Sequence, residues 1–360
     1  MTTGQATINL DDPMMYARLD TQDMAGYIAG LPTQCRQAWD AGQRWPLPAG
    51  LRRPSRIVVL GMGGSAIGAE IVTTLASRLS PIPMQVARGY TAPPVDADTL
   101  VIASSWSGDT EETLEAFQQT LGTGGMRLAI TAGGRLGRLG PEMGYETFTY
   151  EFAGQPRAAI GWGVFALLAI LQRIGAIPFE SGAAEAACTE LAQCATDWGI
   201  DVPTEQNAAK QIAQRLHKRI PMIFGADILE VAARRWAGQM SENAKQWAMF
   251  ATLPELDHNL IVGFPGPDVT RDAVYVVQLD SIAVHERTRL RIALTGEELD
   301  RNGVSHDELL IGGTEPLDTI MRACYLSDWV SLYLAMLSGA DPTAVGAVSR
   351  LKDALTKHQR

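Results

Sequence analysis

The stretch RIVVLGMGGSAIG, residues 56–68, decides the fold class of this 360-residue chain. Its apolar, β-branched opening is typical of a buried strand in a parallel sheet, and small residues then turn the chain into a helix expected at 65–77. The same succession recurs, with strands expected at 84–87, 100–104 and 127–131 and a helix at 111–121. Strand, turn and helix in repetition predict a doubly wound α/β domain.

The second half of the chain returns to this pattern after a helical interval. Residues 158–217 predict three helices, broken at Pro178 and Pro203. Further strands are expected at 220–225, 273–278 and 290–294, a long helix at 228–250, and two final helices at 317–337 and 342–356. We therefore predict an N-terminal helical cap (1–44), a first α/β domain (45–157), connecting helices (158–217), a second α/β domain (218–345) and a C-terminal helix (346–360).

Composition favours a soluble, cytoplasmic enzyme. Apolar residues make up 46% of the chain and the net charge is −10, which disfavours nucleic acid and anionic membranes as partners. The first residues lack a signal-peptide pattern, and the longest apolar run, 158–171, is too short to span a bilayer. The cysteines lack the spacing of a metal site, so we expect all four to be reduced and mostly buried: Cys35, Cys188, Cys194 and Cys324.

The turn after the first strand is rich in glycine. Small residues there allow backbone amides at a helix start to approach an anion. Three interpretations stay open: tight packing without a ligand, a dinucleotide fingerprint formed by Gly61, Gly63 and Ala66, and a monophosphate site. The dinucleotide hypothesis expects an acidic residue after the next strand, where this chain instead has Arg88.

The turn after the third strand, residues 104–113, is rich in hydroxyl side chains. Hydroxyls and helix-start amides together form a donor-rich cup that suits a phosphate dianion, and ligands of parallel sheets bind at the carboxyl ends of strands. A plain helix cap would explain Ser107 or Asp109. It would not explain Ser105, Ser107, Gly108 and Thr110 together, so a ligand site is the stronger hypothesis.

These two turns resemble those of the sugar-isomerase (SIS) domain, which binds phosphosugars. Within that group the chain is similar to the bifunctional phosphoglucose/phosphomannose isomerases from about residue 45 to its C-terminus. The resemblance implies an α/β fold of two SIS-type doubly wound domains with parallel sheets flanked by helices. It also implies a sugar-phosphate site made of Gly63, Gly64, Ser65, Ser105, Ser107 and Thr110. Asp109 is left out of this site because a carboxylate facing a dianion is unfavourable.

The second half carries two motifs that are more specific than the turns. Residues 241–245 (SENAK) and 254–259 (PELDHN) are similar to the family's Glu-Asn-x-Lys and Glu-x-x-His-Asn motifs. Aldose–ketose conversion moves a proton between C2 and C1, which one carboxylate can carry, and ring opening needs a group that titrates near neutrality. A lone Glu or His is usually an ordinary surface residue. The resemblance implies that Glu242 and His258 are catalytic residues.

The resemblance adds two further catalytic positions and an assembly. Arg157, in a segment similar to the family's Pro-Arg-Ala, would steady enediol charge. A terminal lysine would reach the sugar, and Lys352 is preferred over Lys357. In the family the histidine is donated across a dimer, and the apolar segment 251–264 around His258 suits an interface. We therefore expect a homodimer with shared sites, a phosphosugar substrate and no metal or cofactor.

Two rival functions compete with this isomerase hypothesis. A non-catalytic SIS sensor would need the two turns but not Glu242 and His258, and their joint presence favours an enzyme. An NADP-dependent oxidoreductase would rest on the glycine fingerprint and Arg88. An isomerase of this kind would act in carbohydrate metabolism, in glycolysis and gluconeogenesis.

Overall fold

The computed structural model describes residues 8–358. The parts of the predicted terminal regions at 1–7 and 359–360 lie outside the described residues. The predicted N-terminal cap contains three helices, whose bounds are α1 Pro13–Leu19, α2 Met24–Ala29 and α3 Leu31–Arg44. Their apolar residues join the main hydrophobic core, so these helices pack on the α/β body.

The first sheet has five parallel strands: β1 Arg56–Gly61, β2 Met84–Ala87, β3 Thr99–Ser104, β4 Met126–Thr131 and β5 Glu146–Thr149. Their spatial order is β2-β1-β3-β4-β5. The flanking helices are α4 Gly63–Leu79, α5 Glu111–Gln118 and α6 Gly134–Met143. The order reverses between β1 and β3, so the two turns that follow these strands meet at the switch point, where such sheets bind ligands.

Three helices occupy the interval between the sheets. They are α7 Leu167–Arg173, which continues a π-helical turn at Trp162–Ala166, α8 Ser181–Trp198 and α9 Ala208–Leu216. Pro178 and Pro203 lie in the connections, as predicted, because proline disfavours helix continuation at the residue before it.

The second sheet has four parallel strands: β6 Ile220–Ala226, β7 Met249–Leu253, β8 Val274–Asp280 and β9 His306–Leu310. Their order, β7-β6-β8-β9, has the same topology as β2-β1-β3-β4 in the first sheet. The associated helices are α10 Glu230–Ala244, α11 Val269–Ala273 and α12 Glu286–Arg301. Two parallel sheets flanked by helices confirm the predicted fold class.

Two predicted elements in this half are wrong. The helix expected at 228–250 ends at Ala244, where Lys245 adopts a left-handed conformation with φ of 55°, and β7 follows. The strand expected at 290–294 lies inside α12, because a short apolar run does not distinguish a strand from one face of a helix.

The last two helices contrast in their packing. Helix α13, Pro316–Ser338, is buried along most of its length and packs against α10, α8 and α9. Helix α14, Gly346–His358, has no buried residue. Its most apolar side chains, Val348, Leu351 and Leu355, lie on one face and are 46%, 61% and 44% exposed. In the described part of the chain, the helices are too short or too polar to cross a bilayer.

Candidate active site

The glycine turn brings the start of α4 next to the end of β3. Gly63 has φ of 51°, a conformation that favours glycine, and α4 begins without a side-chain cap. The Oγ of Ser65 accepts a hydrogen bond of 3.2 Å from the backbone N–H of Trp106. This bond joins the two turns that the sequence singled out.

The hydroxyl turn draws three side chains together. The Oγ of Ser105 lies 2.8 Å from the Oγ1 of Thr110 and 3.4 Å from the Oγ of Ser107. The backbone N–H of Gly108 also donates to the Oγ of Ser105. Helix α5 begins without a side-chain cap, so capping does not account for these hydroxyls. We call Ser65, Ser105, Ser107 and Thr110 the hydroxyl cup.

Asp109 is turned away from the hydroxyl cup. Its Oδ1 accepts a hydrogen bond of 3.0 Å from the backbone N–H of Arg135, in the first turn of α6. The preceding residue, Gly108, has φ of 69°, and a Cβ there would lie 1.9 Å from the carbonyl oxygen of Gly133. Only glycine fits this close approach, which fixes the direction of Asp109. The carboxylate therefore accepts a hydrogen bond from the N-terminal turn of α6, where a negative charge is favourable.

A cleft of about 220 Å³ opens between α4 and α10. Its walls are Gly63, Gly64, Ile67, Arg88, Arg157, Arg234, Arg235, Gly238, Gln239 and Glu242. Ser65 is the member of the hydroxyl cup nearest to the cleft in sequence, because its neighbours Gly63 and Gly64 line the cleft. Its hydrogen bond with the backbone of Trp106 joins it to the turn that carries the other cup residues. Gly64 is close to the backbone of Pro156, which precedes Arg157, so a side chain at 64 would crowd this wall.

Arg157 is held by anchors from distant parts of the chain. It is 3% exposed; its Nε donates to the Oδ1 of Asn243 over 2.6 Å, and its Nη2 donates to the carbonyl oxygens of Pro342 and Thr343. Its Nη1 lies 3.6 Å from the Oε2 of Glu242, too far for a hydrogen bond. Burial lowers the pKa of Arg157 below its usual value, partly offset by the charge of Glu242. One edge of the guanidinium therefore remains available beside Glu242.

Glu242 and Asn243 form the last turn of α10. The Glu242 side chain is 43% exposed and lines the cleft. Asn243 is fully buried, and its Nδ2 donates to the Oγ of Ser331 on α13 over 2.9 Å. The structure thus brings together two predicted catalytic residues, and we call Arg157, Glu242 and Asn243 the proton-transfer cluster after the role that we propose for it below.

Lys245 closes the end of α10. Although the residue is exposed overall, its Nζ folds back and donates to the carbonyl oxygens of Glu242 and Asn243. Desolvation of the ammonium group, aided by the charge of Arg157, lowers the pKa of Lys245 to about 8. The lysine of the Glu-Asn-x-Lys segment therefore contacts the backbone of the cluster rather than the cleft.

His258 and Lys352 lie outside the cleft in this chain. His258 is exposed at the end of a 3₁₀ turn, Glu255–His258, that follows β7. Lys352 and the competing Lys357 are exposed on α14. Neither His258 nor Lys352 lines the cleft.

The apolar segment around His258 divides into two parts. Leu253 and Leu256 are buried in their own subunit's core, and Leu260 and Ile261 pack against that core. These four leucine and isoleucine side chains are therefore not the exposed patch that the sequence suggested. Val262, in contrast, is 78% exposed.

Sequence reasoning missed a buried polar group behind the cleft. The Nη2 of Arg235 contacts both carboxylate oxygens of Asp328, and the Nε2 of Gln239 donates to the same carboxylate over 2.7 Å. A signal existed, because Arg235, Gln239 and Glu242 recur at helical spacing on one face of α10. Asp328 lies within the apolar pattern of α13, where its sequence context gives no sign of the pair.

Other residues that the sequence analysis considered for chemistry make contacts typical of the folded core or of surface ion pairs. The four cysteines are buried and free, as predicted. Arg88, the residue on which the dinucleotide hypothesis depended, pairs with Glu70 over 2.6 Å. Within residues 8–358, no three His, Cys, Asp or Glu side chains are grouped closely enough to hold a metal ion.

Comparison with known proteins identifies relatives over nearly the whole chain. Residues 50–136 match the model of the SIS domain, and residues 205–355 match that of the bacterial phospho-glucose isomerase C-terminal SIS domain. A bifunctional phosphoglucose/phosphomannose isomerase of Caldicellulosiruptor bescii is 35% identical, with 92% of this chain and 98% of the relative covered. One of Aquifex aeolicus is also 35% identical, with 84% and 91% covered.

A solved structure shares the fold. A hypothetical protein of Thermus thermophilus superimposes with a TM-score of 0.73 at 17% identity, covering 96% of this chain and 92% of the other. At that identity the likeness concerns the fold alone, and it supports the two-sheet architecture described above.

Proposed function

The chain belongs to the bifunctional phosphoglucose/phosphomannose isomerase family, and we propose that it interconverts glucose 6-phosphate and mannose 6-phosphate with fructose 6-phosphate. The observation that carries this proposal is the proton-transfer cluster, in which a half-exposed Glu242 lies beside a buried, anchored Arg157 on the wall of the cleft. A sensor that only binds phosphosugars would need the hydroxyl cup but not this pair.

The hydroxyl cup and the glycine turn bind the substrate phosphate in this proposal. The uncapped starts of α4 and α5 supply amides, and Ser105, Ser107 and Thr110 supply hydroxyl donors. Gly63, Gly64 and Ser65 allow the phosphate and the attached sugar to approach the backbone closely. With Asp109 turned toward α6, no carboxylate opposes the dianion.

Glu242 carries the proton between C2 and C1. Once the ring is open, the carboxylate removes the C2 proton, the C2–H electron pair forms the enediol double bond, and the carbonyl oxygen at C1 takes up a proton from solvent. The same carboxylate then returns the proton to C1, while the C2 hydroxyl releases its proton to solvent and its oxygen becomes the carbonyl oxygen of the ketose. The free edge of Arg157 stabilises negative charge on the enediol oxygens. His258 assists ring opening, and Lys352 contacts the sugar.

Glucose 6-phosphate and mannose 6-phosphate differ only at C2 and give the same enediol. A cleft that accepts both must therefore tolerate either configuration at that carbon. Thr343 is 4% exposed, its carbonyl accepts from Arg157, and its Oγ1 has no hydrogen-bond partner among the described residues. We assign this buried hydroxyl to the C2 side of the site.

The site is completed by a second copy of the chain. His258 is exposed, and its neighbourhood offers apolar side chains to a partner: Val262 at 78% exposure, and Leu290 and Leu294 on α12 at 45% and 49%. Asp257 is hydrogen-bonded to Arg291 and Thr295 of α12, so this helix lies beside His258. The exposed apolar stripe of α14, which carries Lys352, also lacks a cover in its own subunit. A two-fold homodimer would bury these surfaces and form two equivalent sites.

The proposed reaction also suggests where in the cell and in which metabolism the enzyme acts. We assign the enzyme to the cytoplasm and to glycolysis and gluconeogenesis, because its substrates are phosphorylated hexoses. It requires no redox cofactor, since the reaction moves hydrogen within one molecule.

Subunit mixing tests activity and sharing together. A coupled assay first compares glucose 6-phosphate with mannose 6-phosphate. Inactive Glu242→Gln and His258→Ala subunits are then exchanged. If sites are shared, each heterodimer has one doubly defective site and one intact site, so activity recovers toward half per heterodimer. Proven exchange without recovery would mean that Glu242 and His258 act within one chain, and a wild type inactive on both sugars would overturn the function.

A further inference from the structure

The buried group behind the cleft has more donors than the protein uses. Arg235 is 3% exposed yet lines the cleft. Its Nη2 is fully engaged, with both oxygens of Asp328 at 2.7 and 2.9 Å and the carbonyl oxygen of Arg157 at 3.0 Å. Its Nε is buried without a partner among the described residues, and the hydrogen bonds that the guanidinium makes to these residues come from Nη2. Buried polar groups are normally paired, so an unpaired donor on a residue that lines the cleft calls for an acceptor.

The surroundings hold the guanidinium in one orientation. Asp328 is also buried, and besides Arg235 it accepts from the Nε2 of Gln239 over 2.7 Å. Replacing a buried ion pair by apolar side chains is often neutral for stability. Fold stability alone therefore does not call for this pair. The pair instead holds the planar guanidinium group of Arg235 in a fixed orientation at the wall of the cleft.

The position on α10 relates this guanidinium group to the chemistry. Arg235, Gln239 and Glu242 follow one another at helical spacing on the face that lines the cleft. Arg235 therefore lies about two turns before the proposed base, away from the carbons that react and toward the remainder of a substrate in the cleft. A hexose phosphate carries hydroxyl groups there, and their oxygens accept hydrogen bonds.

We propose that Arg235, held by Asp328, recognises the hydroxyl on C3 or C4 of the phosphosugar and is a specificity residue of the site. This inference rests on the proposed function. A site built to hydrogen-bond a hydroxyl rejects an analogue that lacks it, because the protein donor is then left unpaired. Arg235 would thus favour sugars with a hydroxyl in this position over deoxy sugars of the same size.

The test compares glucose 6-phosphate with its 3-deoxy and 4-deoxy analogues in the wild type and in Arg235→Lys. Lysine keeps the charge opposite Asp328 but loses the planar guanidinium group. We expect the wild type to disfavour one analogue by about 10- to 100-fold in kcat/KM, as for a hydrogen bond to a charged group. Arg235→Lys should lose that discrimination and leave the ratio of kcat/KM between glucose 6-phosphate and the other analogue unchanged.

Two controls separate recognition from folding. Arg127→Lys changes another buried arginine, which donates to the carbonyl oxygen of Thr120, and should leave the discrimination unchanged. The paired replacement Arg235→Met with Asp328→Leu removes both charges, and it should also lose discrimination while remaining folded.

Calorimetric binding of the same three sugars tests Arg235 independently of turnover. A wild type that binds but does not isomerise glucose 6-phosphate would refute the proposed function, and the relative affinities of the three sugars would still decide on Arg235. The inference about Arg235 is overturned if Arg235→Lys weakens binding or activity equally for all three sugars, since a merely structural residue would do so. It is also overturned if the wild type does not distinguish them.

Discussion

The hydroxyl cup and the proton-transfer cluster are built in different ways. The cup is made by two turns of one sheet, and its hydroxyls bond mainly to each other and to nearby amides. The cluster depends on contacts over long sequence separation: Arg157 is fixed by Asn243 and by the carbonyl oxygens of Pro342 and Thr343. The proposed phosphate site is thus assembled from neighbouring turns, whereas the proposed catalytic cluster requires the second half of the chain to be folded against the first.

The two regions also differ in whether one chain brings all of their proposed residues together. The residues proposed to bind phosphate all come from one stretch, 63–110, and their turns are joined within the subunit. Two of the residues proposed for catalysis, His258 and Lys352, are exposed and lie outside the cleft. We infer that substrate affinity survives changes that abolish turnover, and the predictions below test this separation.

Glu242→Gln should cause the largest loss. The amide keeps the shape of the side chain but cannot carry a proton, so kcat should fall by about 100-fold or more with KM within about threefold. Steady-state kinetics on glucose 6-phosphate measures both. Ser241→Ala, at the neighbouring exposed position, should behave as wild type. Retention of more than about a tenth of the wild-type rate would remove Glu242 from the role of base.

Ser107→Ala and Thr110→Ala, in the hydroxyl cup, should weaken substrate binding rather than slow turnover. Each removes a donor to a phosphate that is bound equally in the ground and transition states, so KM should rise about 10-fold with kcat within about twofold. Ser77→Ala, which removes an exposed hydroxyl elsewhere on α4, is the control. Unchanged affinity for an inhibitory sugar phosphate would place the phosphate elsewhere.

Asp109→Asn should have a much smaller effect on the substrate. The carboxylate accepts from the Arg135 amide at the start of α6 and faces away from the hydroxyl cup. We expect KM to change by less than about twofold and the free energy of unfolding to fall by at most about 1 kcal/mol, as for a charge at a helix N-terminus. A severalfold decrease in KM would show that the carboxylate does oppose the phosphate.

Lys245→Met should change how stability depends on pH, besides removing the hydrogen bonds of its Nζ to the end of α10. The pKa of Lys245 is about 8 in the folded chain and 10.5 ordinarily, so between these values the unfolded chain binds more protons. The melting temperature of the wild type relative to Lys245→Met should therefore increase as pH rises from 8 to 10.5. Lys357→Met on α14 is the control. A difference that stays constant with pH would contradict the lowered pKa.

The sequence predicted central strands better than edge strands. The buried strands β1, β3, β4 and β6 are near-continuous apolar runs, and each was placed correctly. The edge strands are only partly buried and lack that pattern: β2 was still placed correctly, whereas β5, β7 and β9 were missed. The end of α10 was missed because apolar residues 247–250 continue beyond Lys245, whose left-handed conformation is not encoded by a glycine.

The site was predicted to a different extent in its two parts. The turns could be found because glycine and hydroxyl residues follow recognisable strands. Glu242, His258, Arg157 and Lys352 came from the family resemblance, and their roles remain predictions. The Arg235–Asp328 pair was not found, because its partners are far apart in sequence and an acidic residue within an apolar helix has no local pattern that names its partner.

The exposed α14 has a consequence for how the protein would respond to its own abundance. Helix α14 carries Lys352, which we propose for the site, and has no buried residue, so in the proposed homodimer a second subunit would hold this helix in place. Specific activity would then depend on concentration, falling on dilution below the dimer dissociation constant and returning on concentration. A cell that makes little of this protein would hold mostly idle monomers, and flux would rise more steeply than protein level across that threshold.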